Sequence, residues 1–295
     1  MANLSKKIIF NLFILTTLLI SPFLLRAEEK EEAKDCFSQE LEASVKYDAR
    51  SDAKTQAGSV GIIKADYLYK YDFKAFGKLP VGLSLYNRYT GIDSTVSNVH
   101  LPARLIELAT SIETTLPFFK FNNTYFRIGV SPSFYSDKWN FPASSFKIPS
   151  YYYAIYCPNP KWTFLFGVYV FPDTQNPVLP IPGVIYKPNE RLTFYLAPRR
   201  PNIEYALTKK ISVFWEGSFF VDNEYEVKFD DTRNAVLRFY ETYTGGGIKY
   251  KPNKFIQASL SVGGNFWRRF TYDDSLGKVN MKNSVYTQLR VTIAQ

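Results

Sequence analysis

From about residue 40 to the C terminus, apolar and polar side chains alternate almost without a break. A period of two is the signature of strands with two unlike faces. Leu41, Ala43, Val45, Tyr47 and Ala49 oppose Glu42, Ser44, Lys46, Asp48 and Arg50. Ile63, Ala65, Tyr67, Tyr69, Tyr71 and Phe73 oppose Lys64, Asp66, Leu68, Lys70, Asp72 and Lys74. Further on, Ile256, Ala258, Leu260, Val262, Gly264 and Phe266 share one phase; Gln257, Ser259, Ser261, Gly263 and Asn265 share the other. The pattern predicts strands over 40–50, 57–73, 79–90, 104–116, 122–135, 147–157, 161–171, 179–187, 191–198, 201–208, 211–229, 234–250, 254–270 and 278–294. That makes fourteen, and Pro180, Pro182 and Pro198 among the short segments make twelve the alternative.

Strands in soluble sheets average about 5–6 residues, and many of these run well past ten. A strand that crosses a bilayer needs about 9–11. Tight joins (Phe76–Lys78, Cys157–Pro160, Lys187–Glu190, Thr208–Lys210, Lys251–Lys254) alternate with longer polar ones (Gly91–Ala103, Ser136–Phe146, Thr271–Gly277). Both termini fall on the tight side. The expected fold is all-β: an antiparallel up-and-down transmembrane β-barrel of 12–14 strands, tight turns toward the periplasm. Closure also removes the exposed edges that such long strands would leave. A soluble periplasmic β-sandwich that binds a ligand is the competing architecture. One stretch breaks the alternation: Glu241 shares a phase with Leu237, Phe239 and Tyr243. The run Gly245–Gly247 is expected to reset that phase through a bulge, because Ile248 and Tyr250 follow on the opposite parity.

Ahead of the strands, Lys6 and Lys7 precede the apolar run "IIFNLFILTTLLISPFLL", which ends at Arg26-Ala27. This reads as a cleaved signal peptide over 1–27, with an anchor helix as the alternative. A short polar tail over 28–38 then leads into a barrel over 39–295. An exported chain of this kind is expected in the bacterial outer membrane.

Composition agrees with one-faced strands: 22 Tyr, 25 Phe and 4 Trp accompany a mean hydropathy of only −0.19. The net charge is +9, to which Lys6, Lys7 and Arg26 contribute, and the remaining lysines and arginines are scattered. A nucleic-acid binder would carry a basic stripe, so the expected partners are outer-membrane lipid and the barrel-assembly machinery, not nucleic acid. The two cysteines, Cys36 and Cys157, could pin the tail across the periplasmic mouth, although free thiols are expected because their segments are not neighbours. With one histidine and no C-x-x-C, neither a metal site nor a cofactor is expected.

Charges of both signs fall in the polar phase: Glu42, Lys46, Lys64, Asp66, Glu107, Glu113, Arg127, Glu216, Arg238 and Arg290. They are expected to line the lumen, as an ion-pair network filling it or as the wall of a selective pore. Mixed signs favour the network. The function expected from this is a narrow channel or a structural surface protein. The enzymatic alternative, modification of outer-leaflet lipid, would rest on His100 in "STVSNVHLPA", near Ser94, Ser97, Asn98 and Glu107. No G-x-S-x-G accompanies it, and a lone loop histidine is ordinarily a polar surface residue.

The chain also repeats a turn: "YCPN" at Tyr156, "YKPN" at Tyr186 and "YKPN" at Tyr250. Proline presets φ and asparagine tolerates the strained position after it. Tyr156, Tyr186, Tyr250 and Trp162 would then mark one membrane–water interface. Together with "LAPRRPNIEYAL", these turns resemble an uncharacterised bacterial family, the domain of unknown function numbered 6268, described as outer-membrane β-barrels. The resemblance runs from Ala57 to the C terminus. It implies a location and an architecture, with no substrate and no catalytic residues. Gln295, in the ending "LRVTIAQ", stands where such barrels commonly place an aromatic.

Overall fold

A computed structural model describes residues 37–117, 122–172, 177–197, 200–229, 234–273 and 276–295. The expected signal peptide and Cys36 lie outside the described residues, and Cys157 is a free thiol. The strands are β1 Phe37–Asp52, β2 Ser59–Ala75, β3 Leu79–Ser94, β4 Arg104–Pro117, β5 Thr124–Val130 and β6 Ser133–Ser136. There follow β7 Phe146–Lys147, β8 Ser150–Asn159, β9 Trp162–Val170, β10 Val178–Tyr186, β11 Leu192–Leu196 and β12 Asn202–Ala206. The last are β13 Ile211–Lys228, β14 Asn234–Tyr250, β15 Ile256–Tyr272, β16 Lys278–Asn280 and β17 Ser284–Ala294.

All belong to one sheet, and β1 pairs with β17 from Glu40↔Ala294 to Asp48↔Tyr286, so the sheet closes on itself. Closure rules out two stacked sheets. β5 and β6 both pair with β4, β7 and β8 continue the next course, and β16 and β17 both pair with β15. Three wall strands are thus broken in two, and the barrel has fourteen. Pro180 and Pro182 do not remove a strand. They sit where β10 has β9 on one side but no β11 residue on the other, because β11 joins only from Val184 to Tyr186. A proline there forfeits little ladder bonding.

Each Pro-Asn turn is held by its asparagine side chain. Asn159 Oδ1 accepts from the backbone N–H of Lys161 and Trp162 (2.9 and 3.2 Å). Asn189 does the same for Arg191 and Leu192, and Asn253 for Phe255 and Ile256. Thr208 takes the equivalent role before β13. Among the described residues, the positive-φ positions other than glycine are Phe76, Asn98, Asn123 and Trp267, so the three turn asparagines serve as acceptors and not as tolerant residues in strained backbone. On the outer wall beside them, the Trp162 and Tyr186 rings stack at 4.0 Å, with Phe164, Tyr156 and Phe194 extending the row.

Strand lengths differ widely around the wall. β2, β14 and β15 have 17 residues, β9 and β10 have 9, and β11 and β12 have 5. At about 3.3 Å per residue and a tilt of roughly 40°, nine residues rise about 23 Å, close to the ~25 Å apolar band of a membrane barrel. By the same measure seventeen residues rise about 43 Å and five only about 13 Å. The long strands therefore stand well above the band at the loop end. There Ser136 of β6 bridges Glu226 of β13, passing over the short strands between them, so the barrel narrows toward that end.

The interior changes character along this height. Nearer the tight turns, inward positions are mostly polar and outward ones apolar: Phe166, Ile248, Leu260, Val262, Val285 and Leu289 are all exposed. Nearer the loops, the inward positions form an apolar core from nearly every long strand and the β3–β4 loop. It contains Val60, Ile62, Leu105, Tyr225, Leu237 and Phe270, with Val99 and Leu101 from the loop. Leu237 is 0% exposed, and the Phe239 and Phe270 rings stack at 4.5 Å.

Three bulges lie at this transition. They occur between Asp48 and Ser51 in β1, between Ser218 and Val221 in β13, and in β15 between Phe266 and Arg269, opposite Tyr240 and Thr242. Each extra residue exchanges the two faces of its strand. β14 has no such change, and the expected reset at Gly245–Gly247 does not occur. Its odd-numbered residues face inward from Ala235 to Lys249, as their pairing with Val227, Tyr225, Asn223, Val221, Ser218, Glu216, Phe214 and Ser212 shows. The glycines have a packing reason instead. A Cβ on Gly245 would come within 2.4 Å of Tyr286 Oη, and one on Gly247 within 2.6 Å of Phe214 Cζ, so two inward rings lie against bare backbone.

Candidate functional site: the barrel lumen

Below the apolar core, a layer of buried charge crosses the lumen. Glu241 lies between Lys46 and Lys64 and accepts a hydrogen bond from each. Lys46 also donates to Asn265 Oδ1 (2.8 Å) and pairs with Asp48 (3.2 Å), to which Asn265 Nδ2 donates in turn (2.8 Å). Arg268, placed inward by the β15 bulge, donates to Ser51 Oγ at 2.7 Å and faces Asp48 at 3.8 Å. A lone charge at such depth would cost several kcal/mol, so the pairing of Lys46 and Lys64 with Glu241, and of Lys46 with Asp48, is a condition of their burial.

Neighbouring clusters repeat the arrangement. Asp66 accepts from Arg88 and from Tyr86 Oη (3.0 Å), and Arg88 lies 3.7 Å from Glu107. Arg290 reaches both Glu42 and Glu216 at 3.5 Å. Arg200, from the segment between β11 and β12, extends to 3.9 Å from Glu42 on β1. Lys249 bonds Glu204, which Ser212 also serves at 2.7 Å. Glu113 pairs with Lys70 at 3.0 Å and accepts from Tyr151. Arg127 donates to Thr115 Oγ1 at 2.8 Å and to Tyr153 Oη at 3.4 Å.

Of the charges expected in the lumen, Glu42, Lys46, Lys64, Asp66, Glu107, Glu113, Arg127, Glu216 and Arg290 share inward registers with these groups. Arg238 does not. It pairs in register with Glu224 and Thr271 on the outer face, where it binds Glu224 (2.8 Å) and Asp273 (2.9 Å). Arg50 is likewise outside, on Asp93. Both lie on the loop side of the transition, where the interior is apolar and charge belongs on the wall. Arg88, Arg200, Glu241 and Arg268 were the partners that strand phase alone did not assign.

Between the ionic layer and the apolar core lies a cavity of about 10 Å³, lined by Lys64, Arg88, Thr90, Asn223, Tyr225, Phe239 and Glu241. It has room for about one water. Toward the tight turns the lumen is wetter: Asp72 and Lys70 side chains are 43% and 29% exposed. A notch of about 280 Å³ interrupts the β1–β17 seam beside Ser51 and Ser284.

His100 has an exposed side chain in the β3–β4 loop, and its carbonyl accepts from Tyr272 Oη at 2.6 Å. Its sequence companions are otherwise engaged. Ser97 Oγ donates to the Ala57 carbonyl, Ser94 Oγ accepts from Val96 N–H, and Glu107 lies in the Arg88 cluster. Among the described residues, no serine or acid hydrogen-bonds the imidazole, and no group of three His, Cys, Asp or Glu side chains could hold a metal. The four expected interface aromatics lie at the tight-turn end. Tyr156, Trp162 and Tyr186 belong to the stacked row, and Tyr250, 48% exposed, ends β14 opposite Ile211.

No family model matches the chain, and no curated protein matches it either. Among solved structures, it is similar to an outer membrane channel from Pseudomonas putida F1 (8% identity, TM-score 0.47, covering 90% of this chain and 100% of that one). It is also similar to a Pseudomonas aeruginosa FadL homologue (11%, 0.45, covering 88% and 90%). A third is the P. putida toluene transporter TodX (10%, 0.40, covering 89% and 90%).

Proposed function

We propose that the chain is an outer-membrane β-barrel, exported by a cleaved leader, whose lumen is closed toward the outside and open as a wet vestibule toward the periplasm. One observation carries this: the apolar core spans the loop end of the lumen, and a buried layer of ion pairs underlies it. Free diffusion of ions would require a continuous polar path, and an apolar core backed by a one-water cavity supplies none. The exposed apolar wall and the aromatic row supply the membrane argument, since so large an apolar surface calls for lipid. The protein then acts as a structural or ligand-holding barrel rather than as an open porin.

A second reading, a narrow channel, is favoured by the names of the similar structures and by the polar lumen beneath the core. Planar-bilayer recording separates the two. The proposal expects no steady conductance from the folded, heat-modifiable protein, and a stable unitary current overturns it. Membrane fractionation tests the location, and recovery entirely in the soluble periplasm would remove the barrel reading altogether.

A further inference from the structure

We propose that the short-walled side of the lumen is a binding site for an acidic saccharide, with Arg127 receiving its carboxylate. The site rests on the vestibule reading above for its access. The ionic clusters leave this one cation out. Lys46, Lys64, Lys70, Arg88, Lys249 and Arg290 each have a carboxylate partner. Arg127 has none among the described residues. Thr115 and Tyr153 engage its Nε and Nη1, and both partners are neutral hydroxyls. Its closest acid in electrostatic terms, Glu113, is already held by Lys70 and Tyr151.

Around this guanidinium stands a wall of tyrosines. Tyr151 and Tyr153 stack at 5.7 Å, and Tyr151 meets Tyr169 at 5.4 Å. Tyr195 of β11, 38% exposed, is an electrostatic neighbour of both Tyr169 and Arg127. Gly129 fits the same arrangement, since a Cβ there would come within 2.2 Å of the Tyr151 ring. Bare backbone lets that ring lie directly against the wall.

The chemistry selects the ligand class. Arg127 Nη2 has no partner among the described residues and Nη1 keeps a second N–H, and a planar guanidinium takes a carboxylate through two such nitrogens in parallel hydrogen bonds. Tyrosine faces offer flat apolar platforms, and their hydroxyls offer donors and acceptors at the rim. A ring that is apolar on its faces, hydroxylated at its edge and carries one carboxylate answers all three features. A hydrocarbon would leave the arginine desolvated and unpaired, and a neutral sugar would leave its charge without a counter-ion.

The test is calorimetric titration of the detergent-solubilised, full barrel with diglucuronic acid and, separately, with cellobiose. Diglucuronic acid is expected to bind at least tenfold more tightly than cellobiose, with affinity falling as salt is raised. Arg127→Gln should erase that preference, and Tyr195→Phe should weaken binding two- to threefold while keeping it. Heat-modifiable gel mobility reports whether each variant is folded, and Arg127→Lys, expected to lose about fivefold through loss of the planar fork, replaces the glutamine if it is not. Equal binding of the two sugars, binding of neither, or diglucuronate affinity untouched by both arginine variants overturns the site. Conductance does not enter this readout, so the site and the closed-barrel reading fail separately.

Discussion

The two halves of this barrel solve opposite solvent problems with one continuous sheet. Near the tight turns, apolar side chains face outward and the charges face in. Near the loops, Leu237, Phe270 and Val60 face in, while Arg238, Arg50 and Arg269 face out. The lower half is arranged for lipid outside and water within, and the upper half is arranged like a soluble barrel. The transition is made by bulges in β1, β13 and β15 and, in β14, simply by a change of residue types on a constant register. Strand parity and solvent are therefore independent variables, and only their combination says where the membrane ends.

The comparison can be broken at three levels of energy. The largest effect is expected at the junction, where Glu241→Ala leaves Lys64 buried without its anion and Lys46 with Asp48 alone. Stability should fall by about 3–5 kcal/mol, measured by urea unfolding in detergent or lipid. A loss below 1 kcal/mol would mean that those lysines are hydrated and the ionic layer is not sealed. A matched pair comes next. Leu260→Arg, outward in the lower half, should cost about 2–4 kcal/mol in a bilayer, as a charge on the lipid face does. Val236→Arg, outward in the upper half and in register with Glu226, should cost about 0–1 kcal/mol, the range found near the interface. Equal costs would erase the distinction between the halves. The smallest effect sharpens the lower boundary: Asn253→Ala removes the acceptor for two backbone N–H groups at an exposed turn and should cost about 1–2 kcal/mol, seen as a lowered unfolding midpoint with the fold retained.

Much of the wall was legible from alternation because a period of two is independent of what lies on either side. All fourteen expected strands correspond to wall strands, and the proline-bearing segment at 179–187 pairs despite its prolines. The misreadings share a cause. Placing Arg238 in the lumen, and a bulge at Gly245–Gly247, both assumed that apolar always means lipid. Glu241 looked out of phase only under that assumption, because Leu237 and Phe239 were taken to face the bilayer when they face the capped interior. Arg88 could have been found from register, since Asp66↔Arg88 is a direct cross-strand pair. Arg268 could not, because its direction depends on an extra residue that alternation does not reveal. In the turns, sequence located the asparagines correctly and misassigned their work, since φ and side-chain hydrogen bonding leave the same residue preference.

The seam between the first and last strands also sets a timetable. Ser44 meets Gln288 at a sequence separation of 244, and Lys46 and Asp48 meet Asn265 at separations of 219 and 217. Apart from the bridge between β6 and β13, the other strand pairings join neighbours in the chain, so hairpins can assemble in order as the chain is delivered. The N-terminal strand must wait with half of its hydrogen bonds and a lysine unsatisfied until nearly the whole polypeptide is present. Closing so long a loop carries the largest entropic barrier in the sheet, which makes the meeting of β1 with β15 and β17 the step that commits the barrel. A truncated or stalled chain would therefore stay an open, sticky sheet, recognisable to quality control by the one edge it cannot hide.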